Sequence, residues 1–160
     1  MKIERKFVLK WEIDRHKLKE LGICPDHHEI IQYYLPNSIR VRRDTIPGVR
    51  TTFMVNLKAA TRSKFSRHEW KAEVPEWVFN KIAEHNESRG IRKRRTSWIK
   101  DGLKFDLDHF HGLDIELLEI EFTSVEQALA FDPNCLGLPI EAEVTYDPAF
   151  QNYNIAMERG

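Results

Sequence analysis

Ionisable side chains of both signs recur at every second residue along most of this chain's alternating segments. Lys2, Glu4 and Lys6 open the series. Arg40 and Arg42, Lys58, then Arg67, Glu69 and Lys71 continue it, and Lys93 and Arg95, Asp106 and Asp108, and Glu119 and Glu121 complete it. Alternate residues of a β-strand share a face, so each group projects to one side of its strand. Arginine presents a planar fork that matches phosphate oxygens, and lysine a compact point charge. Carboxylates are the natural ligands of hard divalent cations. A wet sheet face would carry more Thr, Ser and Gln at these positions. An enclosed face packed with charges is a poor way to stabilise a protein, because desolvation costs more than the ion pairs return. The arrangement makes sense if the enclosed space takes a polyanion and its metal ion.

Each piece alone is weak. Glu119 and Glu121 by themselves describe an ordinary solvated strand face, and Arg40 and Arg42 by themselves are ordinary surface charges. Lys93, Arg94 and Arg95 form a basic run that would also suit nucleic acid. Asp106 and Asp108 serve either a metal or their basic neighbours. His109 and His111 share a strand face opposite to Asp108, so they should point away from any enclosed site and read as an exposed pair.

The elements that must position these groups are mostly short strands. "MKIERKFVLK", "HHEIIQYYLP", "NSIRVRRDT", "TTFMVNLKAA", "SRHEWKAEV", "GIRKRRTSWIK", "LKFDLDHFHG", "DIELLEIEFTS" and "PIEAEVTYD" alternate as strands. Asp101-Gly102 is a hairpin signal. "DRHKLKELG" is a helix capped by Asp14 and stopped at Gly22. "PEWVFNKIAEHNE" is a helix with Trp77, Val78 and Ile82 as its buried stripe. "SVEQALAFD" is a helix capped by Ser124, and "PAFQNYNIAME" ends the chain as a helix. Closing such a sheet into a barrel puts one face inside, with helices covering the apolar outside. The expected class is α+β, a closed antiparallel barrel forming a tunnel, in one domain over 1–160.

Composition sets outer limits. Lys+Arg 25 against Asp+Glu 25 gives no net charge, so nothing in the balance argues for DNA or an anionic membrane surface. No apolar run approaches a membrane span and no signal-peptide stretch opens the chain, so a cytoplasmic protein is expected. Cys24 and Cys135 lack metal spacing and read as reduced structural thiols. Trp11, Trp70, Trp77 and Trp98 read as core or barrel–helix packing.

The ordered set "IERKF", "QYYL", "RVR", "NLK", "RHE", "KRR", "DLDHF", "LLEIEF" and "EVTYDPAFQNYNIA" resembles CYTH domains of the triphosphate tunnel metalloenzymes over nearly the whole chain. The resemblance implies a tunnel of about eight antiparallel strands that binds a triphosphate-containing small molecule with Mg²⁺ or Mn²⁺. It implies that Glu4, Glu119 and Glu121 hold a metal ion. It also implies that Lys6, Arg40, Arg42, Lys58, Arg67, Lys93 and Arg95 grip phosphates, with Lys2, Glu69, Lys71, Asp106 and Asp108 as further tunnel residues. The chain departs from the family pattern at Lys2 and Lys71, where glutamates are usual, and at Ala149 and Phe150, where Arg and Tyr are common. The family's activities then leave three expectations: a metal-dependent triphosphatase, a tunnel that binds a nucleotide or polyphosphate with little turnover, and an adenylate cyclase.

Overall fold

The computed structural model describes residues 1–62 and 65–159, apart from the side chains of Ala60, Ser88, Tyr153 and 157–159. Nine strands follow in order: β1 (Lys2–Leu9), β2 (Asp26–Leu35), β3 (Ile39–Ile46), β4 (Arg50–Ala60), β5 (Ser66–Glu73), β6 (Gly90–Lys100), β7 (Leu103–Phe110), β8 (Glu116–Phe122) and β9 (Ile140–Glu143). The α-helices are α1 (Arg15–Glu20), α2 (Glu76–His85), α3 (Val125–Ala130) and α4 (Asn152–Arg159). All pairings are antiparallel, in the order β5-β4-β3-β2-β6-β7-β8-β1, with β9 added beside β1. Closure comes from β1. Its first residues pair with β5 (Lys2 opposite Arg67, Ile3 opposite Ser66), while its last residues pair on the same edge with β9. The result is a closed eight-stranded antiparallel barrel with a ninth strand outside.

Local signals explain the joints. Asp14 and Ser124 accept hydrogen bonds from the backbone N–H of Lys17 and Gln127, satisfying helix-start donors. Asp101 and Gly102 both sit at positive φ, 52° and 75°, as a two-residue hairpin turn requires.

Apolar residues occupy two places. Phe7, Leu9, Trp98, Phe105, Leu118 and Ile120 lie on the outer wall and pack with Leu18 of α1 and Ala128 of α3. A second cluster joins Ile91, Phe110 and Leu117, which share their strand faces with Lys93, Asp108 and Glu119, to Ile155 and Ala156 of α4. Thus α4 covers one end of the barrel, leaving the charged band beyond it. Arg5, on the outer face, ties β1 to β9 and α3 through Glu143 (2.6 Å) and the carbonyls of Ala128 and Phe131.

Three expectations about packing need correction. In α2 the buried residue is Phe79, set against the rings of Tyr33 and Phe53, and Trp77 is 67% exposed. The helix meets the wall through the face that carries Phe79, and Trp77 lies on the far side. Of the four tryptophans only Trp98 is buried; Trp11 and Trp70 are each 60% exposed, Trp70 on the outer face of β5. Both cysteines are free as expected, but exposed rather than structural. No helix among the described residues is long and apolar enough to cross a membrane.

Candidate functional site

The strand registers bring the charged positions together on one face. Lys6 lies opposite Glu119, and Glu4 opposite Glu121. Asp106 lies opposite Glu119, Arg95 opposite Asp108, and Lys58 opposite Glu69. Closure makes this face the lining of a tunnel. Two chambers open along it, of about 650 and 510 Å³, and both are lined by Arg40, Asn56, Lys58, Glu119 and Asn152. The first also takes in Glu4, Lys6 and Arg67. The second takes in Lys2, Arg42, Glu69, Lys71, Arg95 and Asp106.

One wall neutralises itself. Lys93 and Asp108 are fully buried, 2.7 Å apart, and the Asp108 carboxylate also receives Arg95 Nε at 2.7 Å and Nη2 at 2.8 Å. Burial opposes ionisation of Asp108, but Arg95 and Lys93 overcome it and hold its carboxyl far below the usual range. Asp106 faces Arg95 Nη1 at 3.4 Å and accepts from Ser97. The two aspartates therefore serve their basic neighbours, and Lys93 and Asp108 line neither chamber.

The tunnel glutamates are also matched to ammonium groups. Glu119 lies 3.5 Å from Lys6 Nζ. Its burial is outweighed by Lys6, Arg95, Lys93 and Lys2, so its carboxyl stays well below the ordinary value. Lys2 stands between two strands' carboxylates, 3.8 Å from Glu4 and 3.7 Å from Glu69. Burial disfavours its charge, yet Glu4, Glu119 and Glu69 prevail and raise its pKa.

The opposite wall, on β3 and β4, is different. Arg40, Arg42 and Lys58 have no carboxylate within ion-pair distance among the described residues. Arg42 Nε donates to Gln32 (2.9 Å), whose amide donates in turn to the Tyr34 hydroxyl (2.7 Å). Arg40 is only 8% exposed, and its Nε has no hydrogen-bond partner. Burial, then the charges of Arg40 and Arg95, press the Arg42 pKa downward. Burial lowers the Lys58 pKa to about 8, with Glu4 partly resisting and Arg40 reinforcing the shift. Three cations thus line this wall under mutual repulsion, a local segregation of positive charge.

The C-terminal segment contributes residues that sequence reasoning missed. Phe150 O accepts from Lys6 Nζ (3.1 Å), Gln151 Oε1 from Arg67 (3.3 Å), and Asn152 Oδ1 from Lys93 (3.5 Å). Three consecutive residues thus offer neutral oxygens to three of the predicted phosphate ligands. The only local signal was a Gln-Asn pair after the last strand.

The acidic set suits a hard cation by type, since Glu4 and Glu119 offer carboxylate oxygens to the first chamber, while Cys24 lines the second. Glu4 and Glu119 reach the first chamber, whereas Glu121 lines neither chamber. Among the described residues, the one trio of metal-ligating atoms within 4.8 Å is Glu12, His109 and Glu116, outside the tunnel. His109 and His111 point away from the tunnel as expected, but they are half-buried rather than exposed. His109 contacts Glu116, and His111 lies 3.3 Å from Glu29.

No family model matches the sequence, and no curated protein does. Among solved structures, the inorganic triphosphatase NE1496 is 26% identical, with TM-score 0.63 over 98% of this chain and 95% of that one. PH1819 from Pyrococcus horikoshii OT3 superposes over the whole of both chains with TM-score 0.66 at 17% identity. HpAC1 from Hippeastrum, described as having a dominant triphosphatase activity, matches with TM-score 0.61 at 16% identity, over 88% of this chain and 90% of that one. These last two likenesses are of fold. The closed tunnel, its two-signed lining and the likeness to NE1496 are consistent with a CYTH-type triphosphate tunnel domain.

Proposed function

We propose that the chain is a metal-dependent triphosphatase acting on inorganic triphosphate or a nucleoside triphosphate. The observation that carries this reading is the set of cations without a carboxylate at ion-pair distance among the described residues, Arg40 and Lys58 lining both chambers and Arg42 the second. A bound anion relieves their repulsion, and a triphosphate carries the negative charge to engage several of them. Arg67 and Lys6 extend the grip once the oxygens of Gln151 and Phe150 give way. Arg95 and Lys93, fixed by Asp108, supply positive field from behind and do not leave their partner.

Glu4 and Glu119 would hold the Mg²⁺ or Mn²⁺, with Glu121 beside them in register. When bound, the ion neutralises phosphate charge and polarises the terminal phosphoryl group. In the reaction, the oxygen of water bonds to the terminal phosphorus and the bond to the bridging oxygen breaks. Phosphate and the shortened chain leave. The protein's share is to orient the chain along β3 and β4 and to oppose the charge that develops on the leaving oxygen.

A second reading has its own observation. Lys2 lies between Glu4 and Glu69, and Lys71 adds another cation at the same end. Together they suit tight binding of a polyphosphate with slow turnover. Phosphate release from triphosphate and ATP, each with Mg²⁺, Mn²⁺ or EDTA, separates the readings. Release abolished by EDTA is expected. Binding without release would replace the triphosphatase with the binding protein, and cyclic AMP formed from ATP would replace it with a cyclase. Glu119→Gln with Glu121→Gln should abolish metal-dependent turnover, and full metal-dependent activity in that variant would remove the pair from the ligand set. Lys2→Glu with Lys71→Glu should raise turnover if the lysines restrain it.

A further inference from the structure

The outer wall carries a second constellation that the tunnel does not use. Glu29, Arg94, His109 and Glu116 are successive cross-strand neighbours in one row over β2, β6, β7 and β8. Glu12 reaches this row from the segment between β1 and α1. Its carboxylate receives Arg94 at 2.6 Å and lies 4.0 Å from His109 Nδ1. His109 Nδ1 also contacts the Glu116 carboxylate. His27 and His111 each lie 3.3 Å from Glu29.

The charges in this row do not balance. Three carboxylates, Glu12, Glu29 and Glu116, share one permanent cation, Arg94. Glu116 is buried, and its described side-chain partner is His109, which is charged only when protonated. Burial, against the pull of His109, raises the Glu116 pKa, as expected of a carboxylate without a fixed counter-charge. Arg94 already holds Glu12 in place, so the deficit lies on the side of Glu116 and His109.

We propose that Glu12, His109 and Glu116 bind one transition-metal ion of the Zn²⁺ class on the outer wall of the barrel. Their ligand atoms lie within 4.8 Å of one another. Two ligands stand at adjacent register positions of a closed sheet, so they are held in place before the ion arrives. A mixed imidazole–carboxylate set favours Zn²⁺, Co²⁺ or Ni²⁺ over Mg²⁺. Three protein ligands leave a tetrahedral ion one position for water. The ion restores the missing positive charge beside Glu116 and pins the segment before α1 to the barrel. This site does not depend on what the tunnel binds.

The test is Zn²⁺ titration by calorimetry of metal-stripped protein, with Cys24 and Cys135 changed to Ser and with Mg²⁺ in excess. Co²⁺ absorption reads the ligand geometry. One equivalent of Zn²⁺ should bind. His109→Ala and Glu12→Gln should each weaken it roughly 100-fold or more, since even groups that merely orient a ligand cost about 10- to 100-fold when lost. Co²⁺ should give the intense visible bands of a four-coordinate ion, and both variants should lose them. Equal Zn²⁺ affinity in the parent and in Glu12→Gln, or the weak spectrum of hydrated Co²⁺ in the parent, overturns the proposal. Glu12 is exposed and its change to Gln removes no packing, so that variant decides the matter even if His109→Ala fails to fold.

Discussion

Arg40 bears the tunnel's logic at the scale of one residue. Its guanidinium is buried between Tyr34 and Asn56 in register, its Nε is unpartnered, and it repels Arg42 and Lys58 on the same wall. Such a group weakens the free protein and favours the complex. Arg40→Met should lower triphosphate affinity by roughly 10- to 100-fold, the equivalent of one charged hydrogen bond of about 1.5–3 kcal/mol. It should leave urea stability unchanged or higher. A parallel fall in stability would show that Arg40 holds the fold rather than the ligand. Lys58 gives a pH signature. Its pKa is about 8 in the folded chain against 10.5 ordinarily, so the free protein loses this charge as pH passes 8. Anion binding favours the ammonium, so triphosphate affinity should fall from pH 7 to 9, with proton uptake visible by calorimetry in buffers of different ionisation enthalpy. Lys58→Met should flatten that dependence. The sign for stability is opposite. Between pH 8 and 10.5 the unfolded chain holds the proton and the folded one does not, so Lys58 disfavours folding at neutral pH and this penalty fades as pH rises.

At the scale of elements, the hairpin joining β6 to β7 carries Lys93, Arg95, Asp106 and Asp108 in fixed register. Its turn requires positive φ at Gly102, 75°, where a Cβ would meet no neighbour but would strain the backbone. Gly102→Ala should therefore cost about 1 kcal/mol in a denaturant titration. Triphosphate affinity should be unaffected, because the turn lies beyond the paired residues. A loss of affinity would mean that the register of this wall is set by the turn. Much at this scale was legible in sequence. The nine strands, the Asp14 and Ser124 caps and the Asp101-Gly102 turn follow from alternation and turn chemistry. The buried face of α2 was not legible, because Trp77 and Phe79 are both apolar and only the docking angle against Tyr33 and Phe53 chooses between them.

For the molecule as a whole, zero net charge conceals strong segregation. The wall of β3 and β4 is left cationic, while the wall of β6 and β7 is internally paired. A ligand that binds only the folded tunnel should stabilise it by mass action, about 2.7 kcal/mol at 100 times its Kd. For a chain of this size that is a rise of roughly 5–10 °C in Tm. Scanning calorimetry with triphosphate in EDTA and in Mg²⁺ checks this. No rise in either would remove the tunnel as a triphosphate site.

Sequence alone determined which residues share a strand face, because that is a property of local period two. It thereby determined which charged residues share the inner face, and the expectation of a closed barrel, although Lys93, Asp108 and Glu121 line neither chamber. It left open which of those charges are available. That Asp108 takes Lys93 and Arg95, that Lys2 enters the space between Glu4 and Glu69, and that residues 150–152 reach Lys6, Arg67 and Lys93 was decided only by the tertiary structure. The physical reason is that counter-charges are chosen across strands and across barrel closure, by contacts between residues distant in the chain that no periodicity records.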